Sequence, residues 1–194
     1  MPAPARTSRQ AIVEASRALL EESGLDAVVM SAVAERVGVR GPSLYKHVAD
    51  RAALIRAVGD LVTADLRSTL EQAISTGDPA ADLRALALAY RAFVQTNPIG
   101  YGLLFAHLEP DLQPDPTAVA DLGRPIVGAV ARLIGGEGPE ALESGRTLVA
   151  WAHGFVSMEL AGGFRLGGDL DAAYATGIEV ILAGISGRAT PAGA

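Results

Sequence analysis

Between residues 40 and 51 the chain gathers side chains suited to gripping a polyanion: Arg40, Ser43, Tyr45, Lys46, His47 and Arg51. Lys46 is the only lysine in the sequence. Guanidinium, ammonium and imidazole groups offer charge or donors to phosphate oxygens, and the Tyr45 phenol and Ser43 hydroxyl add neutral donors. Grouped at the start of one short helix, which Gly41 and Pro42 open, such groups can also reach base edges in a groove. Leu44 and Val48 alternate with them and would face inward, giving the helix one apolar and one nucleic-acid-competent face.

Other chemistries find less. There are three His and no Cys, so no disulfide, thiolate metal site or Cys nucleophile is available. His107 and His153 fall in different helices, no Ser sits on a strand-to-helix elbow, and no glycine-rich phosphate loop follows a strand. No catalytic residue, metal site or cofactor is expected, and the chain does not read as an enzyme.

The polar cluster needs elements to hold it. From Met30 to Val48 the sequence reads as two short helices joined by a tight turn of about four residues, the form of a helix-turn-helix. Ala34 is small where the helices would cross, Gly38 supplies the positive φ of the turn, and Leu44 plugs the angle between them. Each position of that four-and-six spacing has a steric task.

Around this motif a 3.6-residue apolar period recurs and sustained period-2 alternation is absent. A first helix runs from roughly 6 to 23 on Ile12, Ala15, Leu19 and Leu20. Others follow near 30–37, after Gly41, and from an N-cap at Asp50. Asp78-Pro79 opens one to about Thr96, and a short apolar segment reaches about Leu108. Residues 109–116 form a Pro-rich loop. Further helices end at Ile134 and about Gly162, and the last spans roughly 169 to 187. The pattern predicts an all-α chain of about nine helices, with a DNA-binding head over residues 1–56 and a helical body over 57–194.

The chain has 194 residues, 49% of them hydrophobic, enough for a substantial core. No apolar run reaches the eighteen or so residues of a membrane span, and no signal-peptide pattern opens the sequence; a cytoplasmic protein without membrane contact is expected. Net charge is −6, but unevenly spread. Residues 1–56 hold eight basic and six acidic side chains, whereas the remainder holds eight and sixteen. A mildly basic head on an acidic body fits a polyanion met by the head alone. Arg replaces Lys almost everywhere, a composition that suggests a bacterial source.

Residues 6–56 resemble the N-terminal DNA-binding domain of the TetR (tetracycline repressor) family of bacterial transcriptional regulators. The stretch G-V-R-G-P-S-L-Y-K-H-V-A-D-R-A-A-L-I, Gly38 to Ile55, carries that resemblance. It implies that the segment Ser43 to His47 belongs to the recognition helix and that Tyr45, Lys46 and Arg51 contact phosphate. One departure stands out: the family favours Thr or Ser at the N-cap of the second helix, where this chain has Val29. Either Ser31, the nearest hydroxyl, caps a helix starting later, or that contact is missing.

In the body, Trp151-Ala152-His153-Gly154 resembles the Trp-x-His-Gly signature of one TetR C-terminal subgroup, which implies ligand binding and dimerisation. Seven of the nine aromatic residues lie between positions 90 and 164. Phe93, Tyr101, Phe105, His107, Trp151, Phe155 and Met158 are therefore candidates for an effector pocket, and the same residues are equally suited to filling a helical core. The final helix carries Tyr174, Gly177, Ile178, Ile181 and Ile185 on a broad apolar stripe. A two-fold partner or the chain itself could cover it. A single short helix reads few base pairs, which favours a dimer on a near-palindromic operator. The sequence thus points to a homodimeric repressor that leaves duplex DNA when a small apolar or amphipathic effector binds. The alternative is a regulator of the same fold that answers to a protein partner.

Overall fold

The computed structural model describes residues 7–106 and 108–187. Among them the regular structure is helical throughout: α1 (Arg9–Ser23), α2 (Met30–Arg36), α3 (Gly41–Leu44), α4 (Arg51–Ala73), α5 (Pro79–Thr96), α6 (Pro98–Phe105), α7 (Pro116–Ala120), α8 (Arg124–Ile134), α9 (Pro139–Leu160) and α10 (Leu170–Ser186). The all-α expectation holds. The single helix expected to end at Ile134 is divided into α7 and α8 by a tighter turn at Asp121–Gly123, and Asp115 opens α7 by accepting from the Thr117 amide at 2.9 Å. No helix among the described residues is long and apolar enough to cross a membrane.

Helix starts follow local side-chain chemistry. The Ser8 hydroxyl accepts from the Ala11 amide at 3.1 Å, which fixes the start of α1 at Arg9 rather than near residue 6. Asp50 accepts from the Ala53 amide at 2.7 Å ahead of α4, Asp78 from Ala80 at 3.0 Å ahead of α5, and Asp169 from Asp171 and Ala172 ahead of α10.

The chain divides into two compact units, the first built from the described residues of 1–65 and 97–120, the second from 66–96 and 121–187. In the first, Ile12, Leu20, Val33, Leu44, Leu54, Ile55 and Val62 are buried to 1% exposure or less. Burying each such side chain contributes about 1.5–3 kcal/mol. Glu21 of α1 accepts from the Ile99 and Gly100 amides at 3.1 and 2.7 Å, satisfying donors that the first turn of α6 leaves open.

In the second unit α8 packs against α5 and α9, and α10 packs on all three. Leu83, Leu86, Val94, Val130, Leu148, Val156 and Tyr174 form its buried centre. Asp82 is fully buried and accepts from the Ser75 and Thr76 amides and the Thr76 hydroxyl. Those donors, led by the Thr76 amide, hold its carboxyl below the usual range.

Candidate functional site

The turn between α2 and α3 forms as its residues require. Gly38 has φ +70°, the Val39 amide donates to the Ala34 carbonyl at 2.9 Å, and the Gly38 amide donates to Glu35 at 3.1 Å. This paired closure of a helix end needs a left-handed residue at Gly38. Ala34 and Leu44 are buried, as is Val48.

α3 is shorter than the sequence suggests. Its α-helical stretch ends at Leu44, Tyr45 stands at its C-cap, and Tyr45 to His47 continue as a turn. Three-residue closures at both ends, Ser43 amide to Arg40 carbonyl and His47 amide to Leu44 carbonyl, each 2.8 Å, tighten the segment. Gly41 and Pro42, poor helix formers, account for the limited length.

Arg40, Tyr45, Lys46 and His47 are exposed, with Tyr45 at 57%, and Ser43 and Gly41 are half-buried beside them. Among the described residues no hydrogen bond or ion pair engages these side chains, so their donors face outward from one end of the motif. By contrast, the neighbouring Arg36 forms a two-pronged pair with Glu22 at 2.6 and 2.5 Å.

Two expected residues are placed differently. Ser31 does not cap α2: the helix starts at Met30 behind Val29, no side chain caps it, and Ser31 is exposed on its first turn. Arg51 is drawn inward. Its Nε donates to the Val28 carbonyl at 2.7 Å and its Nη2 to the Leu25 carbonyl at 2.8 Å. At the first turn of α4 it therefore braces the loop that leads into α2, a use that the sequence did not signal.

The effector candidates do not form one group. Tyr101 and Phe105 belong to the first unit and pack on each other with centroids 5.1 Å apart. In the second unit Trp151 stacks on Tyr174 at 4.9 Å and touches Phe155 at 5.8 Å, while Phe155 also meets Phe164 and Tyr174. These rings fill one another's space. Phe93 is buried, Met158 is half exposed, and His107 lies outside the described residues. A small apolar cavity in this unit, about 30 Å³, is lined instead by Leu86, Ala87, Tyr90, Ile126, Leu148, Val149 and Ala152, none of them an expected pocket residue.

Over the ring cluster lies Arg91, 7% exposed, with its guanidinium 4.9 Å from the Tyr174 centroid. It donates twice to Glu159, at 2.9 and 2.6 Å, and pairs with Asp171 at 2.8 Å. The hydrogen bonds from Arg91 hold the Glu159 carboxyl below the usual range. Burial raises the Tyr174 phenol above its ordinary value, and its hydroxyl donates to the Ala87 carbonyl at 2.9 Å. The sequence did carry a trace of this centre: Arg91 sits on the apolar stripe of α5 between Ala87 and Val94.

The five residues expected to face a partner helix sit mainly toward their own chain. Tyr174, Ile178 and Ile185 are buried and Ile181 is half-buried. A Cβ on Gly177 would lie 2.2 Å from Trp151 Cζ2, so this glycine admits an indole from α9. The face of α10 left open is Ala173, Thr176, Val180 and Gly184, with Val180 67% exposed. On α9, Leu142, Val149 and Leu160 are exposed, and Leu142 and Leu160 are separated by five full turns on one stripe.

Comparison with known proteins adds two family matches. Residues 12–58 match the bacterial regulatory proteins of the tetR family, and residues 83–181 match the tetracyclin repressor-like C-terminal domain. An HTH-type transcriptional regulator of Mycobacterium tuberculosis, Rv0681, is 30% identical over 98% of this chain and 87% of its own length. The class D tetracycline repressor of Escherichia coli is 35% identical over 28% of this chain and 25% of its own. Among solved structures, a Rhodococcus sp. RHA1 protein superposes with a TM-score of 0.79 at 24% identity, covering 95% of this chain and all of that one. A variant of the Acinetobacter baumannii TetR protein, solved with minocycline, gives 0.65 at 20% identity over 95% and 99% of the two chains. At these identities the two structures speak for the fold.

Proposed function

Since the chain belongs to the TetR family of DNA-binding transcriptional regulators, we propose that it acts as a homodimeric repressor released from its operator by a small apolar or amphipathic effector. The observation that carries this reading is the outward, uncommitted set Arg40, Ser43, Tyr45, Lys46 and His47 on a braced helix-turn-helix. Ser31 and Gly41 flank that surface, and Arg51 holds it from behind. The head is residues 1–56, and 57–194 supplies the effector response and the dimer. Its place of action is the bacterial cytoplasm, where its operator DNA lies.

The exposed stripe Leu142, Val149 and Leu160 on α9, with the small face around Val180 on α10, supports a two-fold four-helix contact. Two such heads would occupy successive major grooves about 34–36 Å apart. An effector lowers occupancy only through its tighter binding to the state with the wrong head spacing.

Lys46→Ala and Tyr45→Phe are expected to weaken binding to specific and scrambled duplexes alike, and Lys46→Ala to lower the salt slope by about one. Arg40→Ala and Ser43→Ala are expected to narrow the ratio between the two duplexes, each base contact counting for about 1–3 kcal/mol. Fluorescence anisotropy titrations on both duplexes check this. Four variants behaving identically would contradict the division of roles.

A further inference from the structure

Two permanently basic side chains stand on the outer face of the helix-turn-helix, and they differ in chemistry. Arg40 bears a guanidinium, which stays protonated and is a poor nucleophile. Lys46 bears a primary amine, and it is the only lysine among 194 residues. Arg17, Arg36 and Arg51 of the same head are committed within the chain, to Asp65 and Asn97, to Glu22, and to the Leu25 and Val28 carbonyls. Of the charges that meet DNA, Lys46 is therefore the one that acyl chemistry can erase.

The amine is also open to reagents. Tyr45, Lys46 and His47 are three successive exposed residues on the turn that ends α3, while Leu44 and Val48 on either side are buried. Among the described residues no hydrogen bond or ion pair engages the Lys46 side chain. The sequence holds no acidic residue between Glu35 and Asp50, and Asp50 Oδ1 is occupied with the Ala53 amide at 2.7 Å. A small acyl group at Nζ would project into solvent and leave the buried contacts of Leu44 and Val48 as they are. Only the charge is lost, because an amide nitrogen carries none. Conversely, a duplex seated on this face covers the amine.

We propose that Lys46 is a regulatory acylation site: an activated acyl donor, an acyl phosphate or a thioester, transfers its acyl group to Nζ, and the neutralised head releases DNA. The unprotonated amine attacks the acyl carbonyl and a C–N bond forms. The C–O bond to phosphate, or the C–S bond to the thiol, breaks and the leaving group departs with the electron pair. The surplus proton of the amine passes to water, and nothing is oxidised or reduced. This rests on the reading of the chain as a DNA-binding regulator and gives it an input separate from any bound effector. At about 0.15 M salt, counterion release makes one phosphate contact worth about fivefold in affinity. Because donor and DNA compete for the same atom, acylation and duplex binding exclude each other.

The test treats the full chain with acetyl phosphate and, in parallel, with acetyl-coenzyme A. Peptide mass spectrometry should find the acetyl group on Lys46; labelling by either donor supports the site, and the faster one identifies the donor class. Fluorescence anisotropy should show duplex affinity falling at least about fivefold, with a shallower salt dependence and unchanged helical circular dichroism. Duplex bound beforehand should slow labelling of Lys46 several-fold. Lys46→Arg lacks the amine, so treatment should leave that variant's own affinity where it was, and Lys46→Gln should bind like the acetylated wild type. Lys46 left unlabelled by both donors, or labelled without loss of affinity, would overturn the proposal. An equal loss in treated Lys46→Arg would overturn it too, by tracing the effect to another group, and labelling indifferent to duplex would overturn the mutual exclusion. Untreated protein that binds no duplex would instead overturn the regulator reading on which the proposal stands.

Discussion

Arg91→Met is expected to destabilise the protein by about 3–5 kcal/mol, the usual cost of removing one partner from a buried ion pair. The wild-type guanidinium is 7% exposed and bonds twice to Glu159, whose side chain is 14% exposed. Without it, a largely buried carboxylate keeps Gln95, at 3.1 Å, as its donor among the described residues. The bond to Asp171, itself 87% exposed, adds little. For a chain of this length the loss corresponds to a drop in Tm on the order of 10 °C.

The effect has a definite pH dependence. In the wild type Arg91 lowers the Glu159 pKa below its reference of 4.5. The pair's stabilisation is therefore complete above that reference and is lost as pH falls through the depressed folded value. In the variant, burial favours the neutral acid, so protonation relieves the strain. The gap between wild type and variant should be widest near neutrality and should narrow in acid. Urea unfolding at neutral pH and at about pH 4 measures both. The double variant Arg91→Met with Glu159→Gln should recover more than half of the loss.

Gly177→Ala is the second large effect, expected to cost about 1–3 kcal/mol through overpacking. The new methyl would meet Trp151 Cζ2 at 2.2 Å and Cε2 at 2.9 Å. The indole cannot easily retreat, because Tyr174 stacks on it at 4.9 Å and Phe155 touches it at 5.8 Å. Since Trp151 is the only tryptophan, its emission and near-ultraviolet circular dichroism report the displacement directly. If the glycine serves its own chain, the deficit stays the same across protein concentrations. A deficit that appears only on dilution would place Gly177 against a partner instead, as the sequence alone suggested.

Neither of these two sites was legible in the sequence, whereas the helix-turn-helix was. The helix-turn-helix could be read because its determinants are local: Ala34, Gly38 and Leu44 act within ten residues of one another, and the Gly38 turn closes on Ala34 and Glu35. The cap at Asp50 and the helix start at Asp78-Pro79 were readable for the same reason. Ser31 and the length of α3 were not, since a helix start at Met30 and a stop at Leu44 depend on small balances among Val29, Gly41 and Pro42.

Long-range choices were hidden. α10 is apolar around most of its circumference, so periodicity could not tell its inward face, Tyr174, Ile178 and Ile185, from its open face around Val180. Arg91 and Glu159 lie 68 positions apart, and no local pattern pairs them. The aromatic residues were correctly seen as clustered in sequence, yet Tyr101 and Phe105 joined one unit while Trp151 and Phe155 joined the other.

The central claim, a dimer that reads DNA through the outward face of its helix-turn-helix, is tested most directly by selecting bound duplexes from a random pool with the purified full chain at near-physiological salt. The account predicts enrichment of a two-fold symmetric site with half-sites about one helical turn apart, centre to centre. A folded protein that enriches no sequence, in the presence or absence of candidate effectors, would contradict it.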